Sequence, residues 1–264
     1  MAEQLVAPWP AFELCPGAAD SGVIFICDHA SPAMPATYAG LHLPPEAFTR
    51  HIAYDIGAAA LTRTLAAQFK APAVLSHFSR LLIDPNRGLD DPTLIMELSD
   101  GAIIPGNHRI TDEERAYRIT HFWKPYRNAV QAEIANMVAV GPVPAIVSLH
   151  SFTPRWKGAK RPWQVAVLWD KDARLAKPLI ADLGADPGLN VGDNQPYDGA
   201  LKGDTLHEIA TIAGLPHVLI ELRQDEIGDE AGIARWARRL EAALRPILAK
   251  AEAHQMVLQG SRAV

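Results

Sequence analysis

Two histidines and a glutamate stand at the ends of three short apolar runs, residue types that together can hold a metal and activate water. Val23-Ile24-Phe25-Ile26-Cys27 leads into Asp28-His29, Ala145-Ile146-Val147-Ser148-Leu149 into His150, and Val218-Leu219-Ile220 into Glu221. Short runs of this kind read as buried strands, and Pro142 and Pro144 forbid a helix ahead of His150. In open α/β sheets the carboxyl ends of the strands border the crevice where ligands bind. A catalytic zinc takes about three protein ligands from His, Asp, Glu and Cys and keeps a position for water. His29 and His150 supply two; Asp28, His51 and Asp55 are the candidates for the third. Glu221 is placed to act as general base on the bound water and to pass the proton to a leaving amine. A single histidine at a strand end is more often a hydrogen-bonded loop residue. Three chemically matched strand ends shift that balance towards a site.

A second group lies in Ser79-Arg80-Leu81-Leu82-Ile83-Asp84-Pro85-Asn86-Arg87. Guanidinium groups bind carboxylates through paired hydrogen bonds, so Arg80 and Arg87 suit a substrate that carries free carboxylates. The plainer reading is a structural Arg80–Asp84 or Arg87–Asp90 ion pair. Arg223, two residues after Glu221, can orient that glutamate or bind substrate.

Positioning these groups requires strands that alternate with helices, hence a mixed, mostly parallel sheet sandwiched by helices. The spacing of Ile52, Ile56, Ala59, Ala60 and Leu65 predicts a helix over 51–69, with His51 and Asp55 on one face. Ala73-Val74-Leu75 and Leu81-Leu82-Ile83 read as strands, and 88–109 as a loop region over the site. Thr111 followed by Glu114 is a capping-box signature that opens a helix to about residue 139, kinked at Pro125. A strand over 164–169, helices over 172–183 and 204–214, and an amphipathic covering helix over 229–253 complete the pattern. With no repeat and no linker, residues 1–264 read as one domain with a core of about 23–228.

A net charge of −5 predicts no nucleic-acid footprint. No stretch of about 18 apolar residues occurs, so no membrane span is expected. Residues 1–8 lack a signal-peptide pattern, and Cys15 and Cys27 form no C-x-x-C pair, which fits a reducing cytoplasm.

The ordered set Asp28-His29-Ala30-Ser31 with Pro35, Asp55-Ile56-Gly57, Ser79-Arg80, Asp84-Pro85-Asn86-Arg87, Pro125-Tyr126, Asn194-Gln195-Pro196-Tyr197 and Glu221-Leu222-Arg223-Gln224-Asp225 resembles the N-formylglutamate amidohydrolase family. The resemblance implies a zinc-carboxypeptidase-like and aspartoacylase-like fold with zinc at strand ends. In the carboxypeptidase pattern Ser148-Leu149-His150-Ser151 matches the setting of the second zinc histidine, Glu221-Leu222-Arg223 that of the general base, and Asn86-Arg87 the carboxylate clamp. The first ligand pair departs: the pattern is His-x-x-Glu, and Pro32 stands three residues after His29. Asp55, in the family's Asp-x-Gly setting, takes the place of that glutamate. The resemblance thus implies zinc on His29, Asp55 and His150, catalysis by Glu221, and substrate binding by Arg80, Asn86, Arg87 and Arg223. It implies hydrolysis of a small carboxylate-bearing N-acyl amino acid, N-formyl-L-glutamate first, to formate and the free amino acid. The alternatives are a deacylase or peptidase of the same fold, a non-catalytic ligand-binding protein, and a metal-free hydrolase using Ser148 or Ser151, neither of which sits in a Gly-x-Ser-x-Gly elbow.

Overall fold

The computed structural model describes residues 9–263, so the reading of residues 1–8 lies outside the described residues. The strands in chain order are β1 (Phe12–Cys15), β2 (Val23–Cys27), β3 (Ala73–Ser76), the two-residue pieces β4 (Leu98–Ser99) and β5 (Ala102–Ile103), β6 (Ala145–Phe152), the pieces β7 (Arg155–Trp156) and β8 (Ala159–Lys160), β9 (Val165–Leu168), β10 (Val191–Asp193) and β11 (His217–Arg223). The helices are α1 (Ala58–Phe69), α2 (Asp112–Arg118), α3 (Lys124–Val140), α4 (Ala176–Gly184) and α5 (Glu230–Leu248).

Seven strands form one mixed sheet in the order β1-β3-β2-β6-β11-β9-β10. Its centre is parallel: β2 pairs with β3 and β6, and β6 with β11. β1 lies antiparallel on β3, β9 antiparallel on β11, and β10 runs parallel to β9. Side chains alternate between the faces. Phe25, Val147, Leu149 and Ile220 share a core with Leu61 and Leu65 of α1, Leu179 of α4, and Trp236 and Leu240 of α5. Ile24, Ile26, Ile146 and Leu219 share the opposite core with Tyr126, Val130, Ile134 and Met137 of α3. Helices cover both faces, which is why the central strands read as continuous apolar runs.

The same alternation sends His150 and Glu221 to the α3 side, where they are register partners on β6 and β11. The distance between them is therefore set by the spacing of neighbouring strands, about 4.8 Å.

Three expectations need correction. The helix predicted over 51–69 begins only at Ala58; Gly57, at φ 83°, makes the left-handed entry, and Asp55 lies in the preceding turn. Leu81, Leu82 and Ile83 are fully buried but join no strand. Two of their carbonyls are satisfied by side chains instead: Asn107 Nδ2 donates to Leu81 O at 2.8 Å and Arg118 Nη1 to Leu82 O at 2.9 Å. The kink expected at Pro125 is a π-helical turn over Ile119–Trp123, which leaves the proline in the first turn of α3, where its missing N–H costs nothing. Thr111 does cap α2, accepting from Glu114 N–H at 3.2 Å, while the Glu114 carboxylate turns to Arg118 Nε at 2.6 Å.

Candidate active site

His29 follows β2 directly, and its carbonyl accepts the Asp55 N–H at 2.9 Å, which draws the 51–57 turn against the end of that strand. Gly57 makes this path possible, since a Cβ there would lie 2.3 Å from Ile227 O. Asp55 Oδ2 then sits 3.4 Å from His29 Nδ1 and 2.9 Å from His150 Nδ1, and accepts the Ser151 N–H at 3.2 Å. Ligand atoms of His29, Asp55 and His150 all lie within 4.8 Å of one another, and the three residues are buried.

The far nitrogen of each imidazole is held by another carboxylate. His29 Nε2 meets Asp84 Oδ1 at 2.7 Å, and His150 Nε2 meets Asp28 Oδ2 at 3.1 Å. An ionised carboxylate only accepts, so each Nε2 donates, and His29 Nδ1 faces Asp55 and, at 3.2 Å, Arg80 Nη1. This carboxylate–histidine pairing is the arrangement that orients metal-ligating imidazoles. Asp28 is itself fully engaged by the hydroxyls of Thr205, Tyr126 and Ser148 at 2.5, 3.1 and 3.2 Å. Asp84 also takes Arg80 Nη2 at 2.8 Å.

Burial raises the pKa of these carboxyls, but their partners outweigh it. The His150 hydrogen bond and the His150 and His29 charges hold Asp28 below the usual carboxylate range, and the His29 charge with the His150 hydrogen bond does the same for Asp55. Asp84 is held well below it by Arg80 and His29. Burial works against the charged form of His150, yet its bonds to Asp28 and Asp55 push it well above an ordinary imidazole. The cluster thus holds three ionised carboxylates around its imidazoles and the Arg80 guanidinium, and its two nitrogens and one oxygen form a donor set suited to zinc. Glu221 adds a further sign of fit. Its Oε2 is buried without a hydrogen-bond partner, and burial lifts its carboxyl to about 7, the charge of His150 opposing and that of Asp55 adding.

These groups line a cavity of about 480 Å³, together with Arg80, Asn86 and Arg87. The 85–87 loop is fixed by a residue the sequence reading passed over. Arg127, on α3, donates to Pro85 O at 3.0 and 3.1 Å, Arg87 O at 3.3 Å and Gly203 O at 2.8 Å. Asn86 Oδ1 accepts the Thr205 N–H at 3.1 Å. Arg87 donates to Asn86 O and Thr93 Oγ1, and Nη2 has no partner among the described residues.

Of the eight predicted site residues, seven come together at this cavity. Arg223 does not: its guanidinium takes Asp225 at 2.6 Å, Glu226 at 3.3 Å and the carbonyls of Arg161 and Trp163. Of the other third-ligand candidates, Asp28 lies behind His150, and His51 lines the cavity 3.4 Å from Asp100. Ser151 Oγ donates to Ile56 O and Ser148 Oγ to Asp28, so neither hydroxyl donates to an imidazole.

Fold and site together define a mixed α/β protein with a buried cluster that could hold a metal. A model of the N-formylglutamate amidohydrolase family matches residues 21–228, and the chain belongs to that family. A solved gene product of Agrobacterium tumefaciens is 34% identical, with a TM-score of 0.87 over 92% of this chain and 96% of that one. N-formylglutamate amidohydrolase from Ralstonia eutropha JMP134 is 21% identical, with a TM-score of 0.67 over 92% and 98%, and shares the fold. No curated protein matches the chain. Among the described residues no helix is long and apolar enough to cross a membrane.

Proposed function

We propose that the protein hydrolyses the amide bond of a small N-acyl amino acid, N-formyl-L-glutamate first, with zinc held by His29 Nδ1, Asp55 Oδ2 and His150 Nδ1. The observation that carries this reading is the convergence of those three atoms, with each imidazole backed by a carboxylate and with the unpartnered Glu221 carboxyl on the adjoining strand. Zinc in such a set supplies Lewis acidity towards a carbonyl and lowers the pKa of a water.

The chain's own groups account for the rest. Glu221, poised near neutrality, takes a proton from water and returns it to the nitrogen that leaves. Asn86 Nδ2 and Arg87 Nη2 receive the substrate carboxylate. Arg80 backs them with its charge, shared with Asp84 at 2.8 Å and Asp55 at 3.5 Å. Water adds across the C–N bond, so formate and the free amino acid leave.

Steady-state assays with N-formyl and N-acetyl glutamate and aspartate, run beside elemental analysis, test this. The expected result is a stoichiometric metal in wild type, its loss in His150→Ala, and preference for N-formylglutamate. Full activity without metal overturns the zinc assignment, and a preference for the acetyl compounds overturns the substrate.

A further inference from the structure

A short basic hairpin forms part of the cavity rim. In it Arg155 pairs across the strands with Lys160 and Trp156 with Ala159, around Lys157 and Gly158 at φ 47° and 84°. Two left-handed residues in a two-residue loop match the twist of a tight hairpin, so the turn is pre-organised. Arg161 anchors the base. It is 8% exposed, and its guanidinium lies 5.2 Å from the Tyr197 ring, 5.4 Å from Trp156 and 5.6 Å from Phe152. It also donates to Tyr197 Oη at 3.1 Å and Thr153 Oγ1 at 3.2 Å. Trp156 and Tyr197 both line the cavity, which ties the hairpin to it.

The charges on this hairpin have no answer within the described residues. Like charges directly opposite in an antiparallel pair destabilise it, and Arg155 faces Lys160. Both are exposed, as is Lys157, and none has a carboxylate within 4.0 Å among the described residues. The rim carboxylates, by contrast, are matched: Asp100 by Arg50 at 3.3 Å, and Asp198 by Arg262 at 2.7 Å. In a chain of net charge −5, three unanswered cations on a rigid rim are a local feature. The cavity, about 480 Å³, falls among pockets that enclose drug-sized ligands, beyond what a formyl group and one glutamate fill.

We propose that the hairpin is a subsite for an acidic peptide, so that the substrate class includes peptides whose N-acylated end enters the cavity and whose following carboxylates meet Lys157 and Lys160. The inference rests on the amide-hydrolysis reading above and extends it. An extended peptide advances about 3.3–3.6 Å per residue, and in the proposed pose its second and third residues pass Trp156, which belongs to both the cavity wall and the hairpin. Single exposed ion pairs are weak, but a pre-organised group of cations raises both encounter rate and affinity for a polyanion.

The test compares kcat/KM for N-formyl-Glu-Glu-Glu and N-formyl-Glu-Gln-Gln in wild type and in the double variant Lys157→Glu/Lys160→Glu, with calorimetric binding of Glu-Glu-Glu to both proteins. The acidic peptide is expected to exceed the neutral one by about tenfold at low salt, and the ratio to fall to about one in the variant. Equal rates for the two peptides in wild type, or a ratio that charge reversal leaves in place, overturn the subsite. If no N-formyl compound is cleaved, the amidohydrolase reading fails while binding still decides the hairpin. Glu-Glu-Glu bound by wild type and lost in the variant supports it; equal or absent binding overturns it.

Discussion

Asp204 is a buried acid in the cavity wall whose own titration has a measurable consequence. Burial pushes its carboxyl up to about 7, against the opposing hydrogen bond from the His207 N–H at 2.6 Å. A carboxyl that holds its proton more tightly folded than unfolded leaves stability intact below pH 4 and removes it as pH rises towards 7. The loss is of order 4 kcal/mol, since each unit of displacement is worth about 1.4 kcal/mol. Asp204→Asn keeps the acceptor for His207 and cannot ionise. Urea unfolding at pH 5 and pH 8 should show the variant gaining on wild type as pH rises; a pH-independent difference would contradict the assignment. At this scale the sequence was a good guide where an apolar run led into a polar residue: His29, His150 and Glu221 were legible that way. β6 nevertheless runs on to Phe152 and β11 to Arg223, so that His150 and Glu221 lie within their strands rather than at the ends. The sequence gave Asp84 only as an ion-pair partner of Arg80, the pair seen at 2.8 Å, and missed its bond to His29, 55 residues away; it passed over Arg127, whose partner Pro85 lies 42 residues away. Arg223 misled because alternation places it on the Glu221 face, yet Asp225 and Glu226 in the next turn capture its guanidinium.

Among elements, the 51–57 turn governs whether Asp55 meets the histidines. Gly57→Ala introduces a Cβ 2.3 Å from Ile227 O and a side chain in the left-handed region. The left-handed conformation alone costs about 1–2 kcal/mol, before the clash is counted. The variant should lose at least that much stability in denaturant and bind zinc more weakly, because its relief is to move the turn that holds Asp55. Unchanged zinc affinity at reduced stability would separate the turn from the site. The same segment shows why sequence periodicity overran here. Ile52, Ile56 and Leu65 repeat at helical spacing, but a backbone path that needs φ 83° at Gly57 divides them into turn and helix. Leu81-Leu82-Ile83 failed for a related reason: full burial makes an apolar run, and only the donors supplied by Asn107 and Arg118 distinguish it from a strand.

Taken as a whole, the molecule places its three proposed metal ligands on separate stretches of chain, after β2, before α1 and within β6, with Asp84 behind them on a fourth. A ligand that binds only this assembled arrangement stabilises it by mass action, by about 2.7 kcal/mol at a free concentration one hundred times Kd. Removing metal with a chelator should lower Tm by about 5–10 °C, and zinc should restore it. A chelated protein with the Tm of the zinc-loaded one would count against a metal on these ligands. The parallel centre of the sheet and its helical cover were legible from strand–helix alternation. The antiparallel placement of β9 was not, since register depends on neighbours that the alternation of one strand does not name.

The register pairing of His150 with Glu221 has a bearing on how this protein would fail. Both residues belong to central strands whose amides open only when the sheet itself comes apart. Inactivation on heating should then follow one transition, in which hydrolytic capacity and hydrogen-exchange protection at these strands vanish together. A single-residue slip of β11 would turn Glu221 into the apolar core on the α5 side, so the register is strongly held. The chain thus has little room for intermediate states of partial activity.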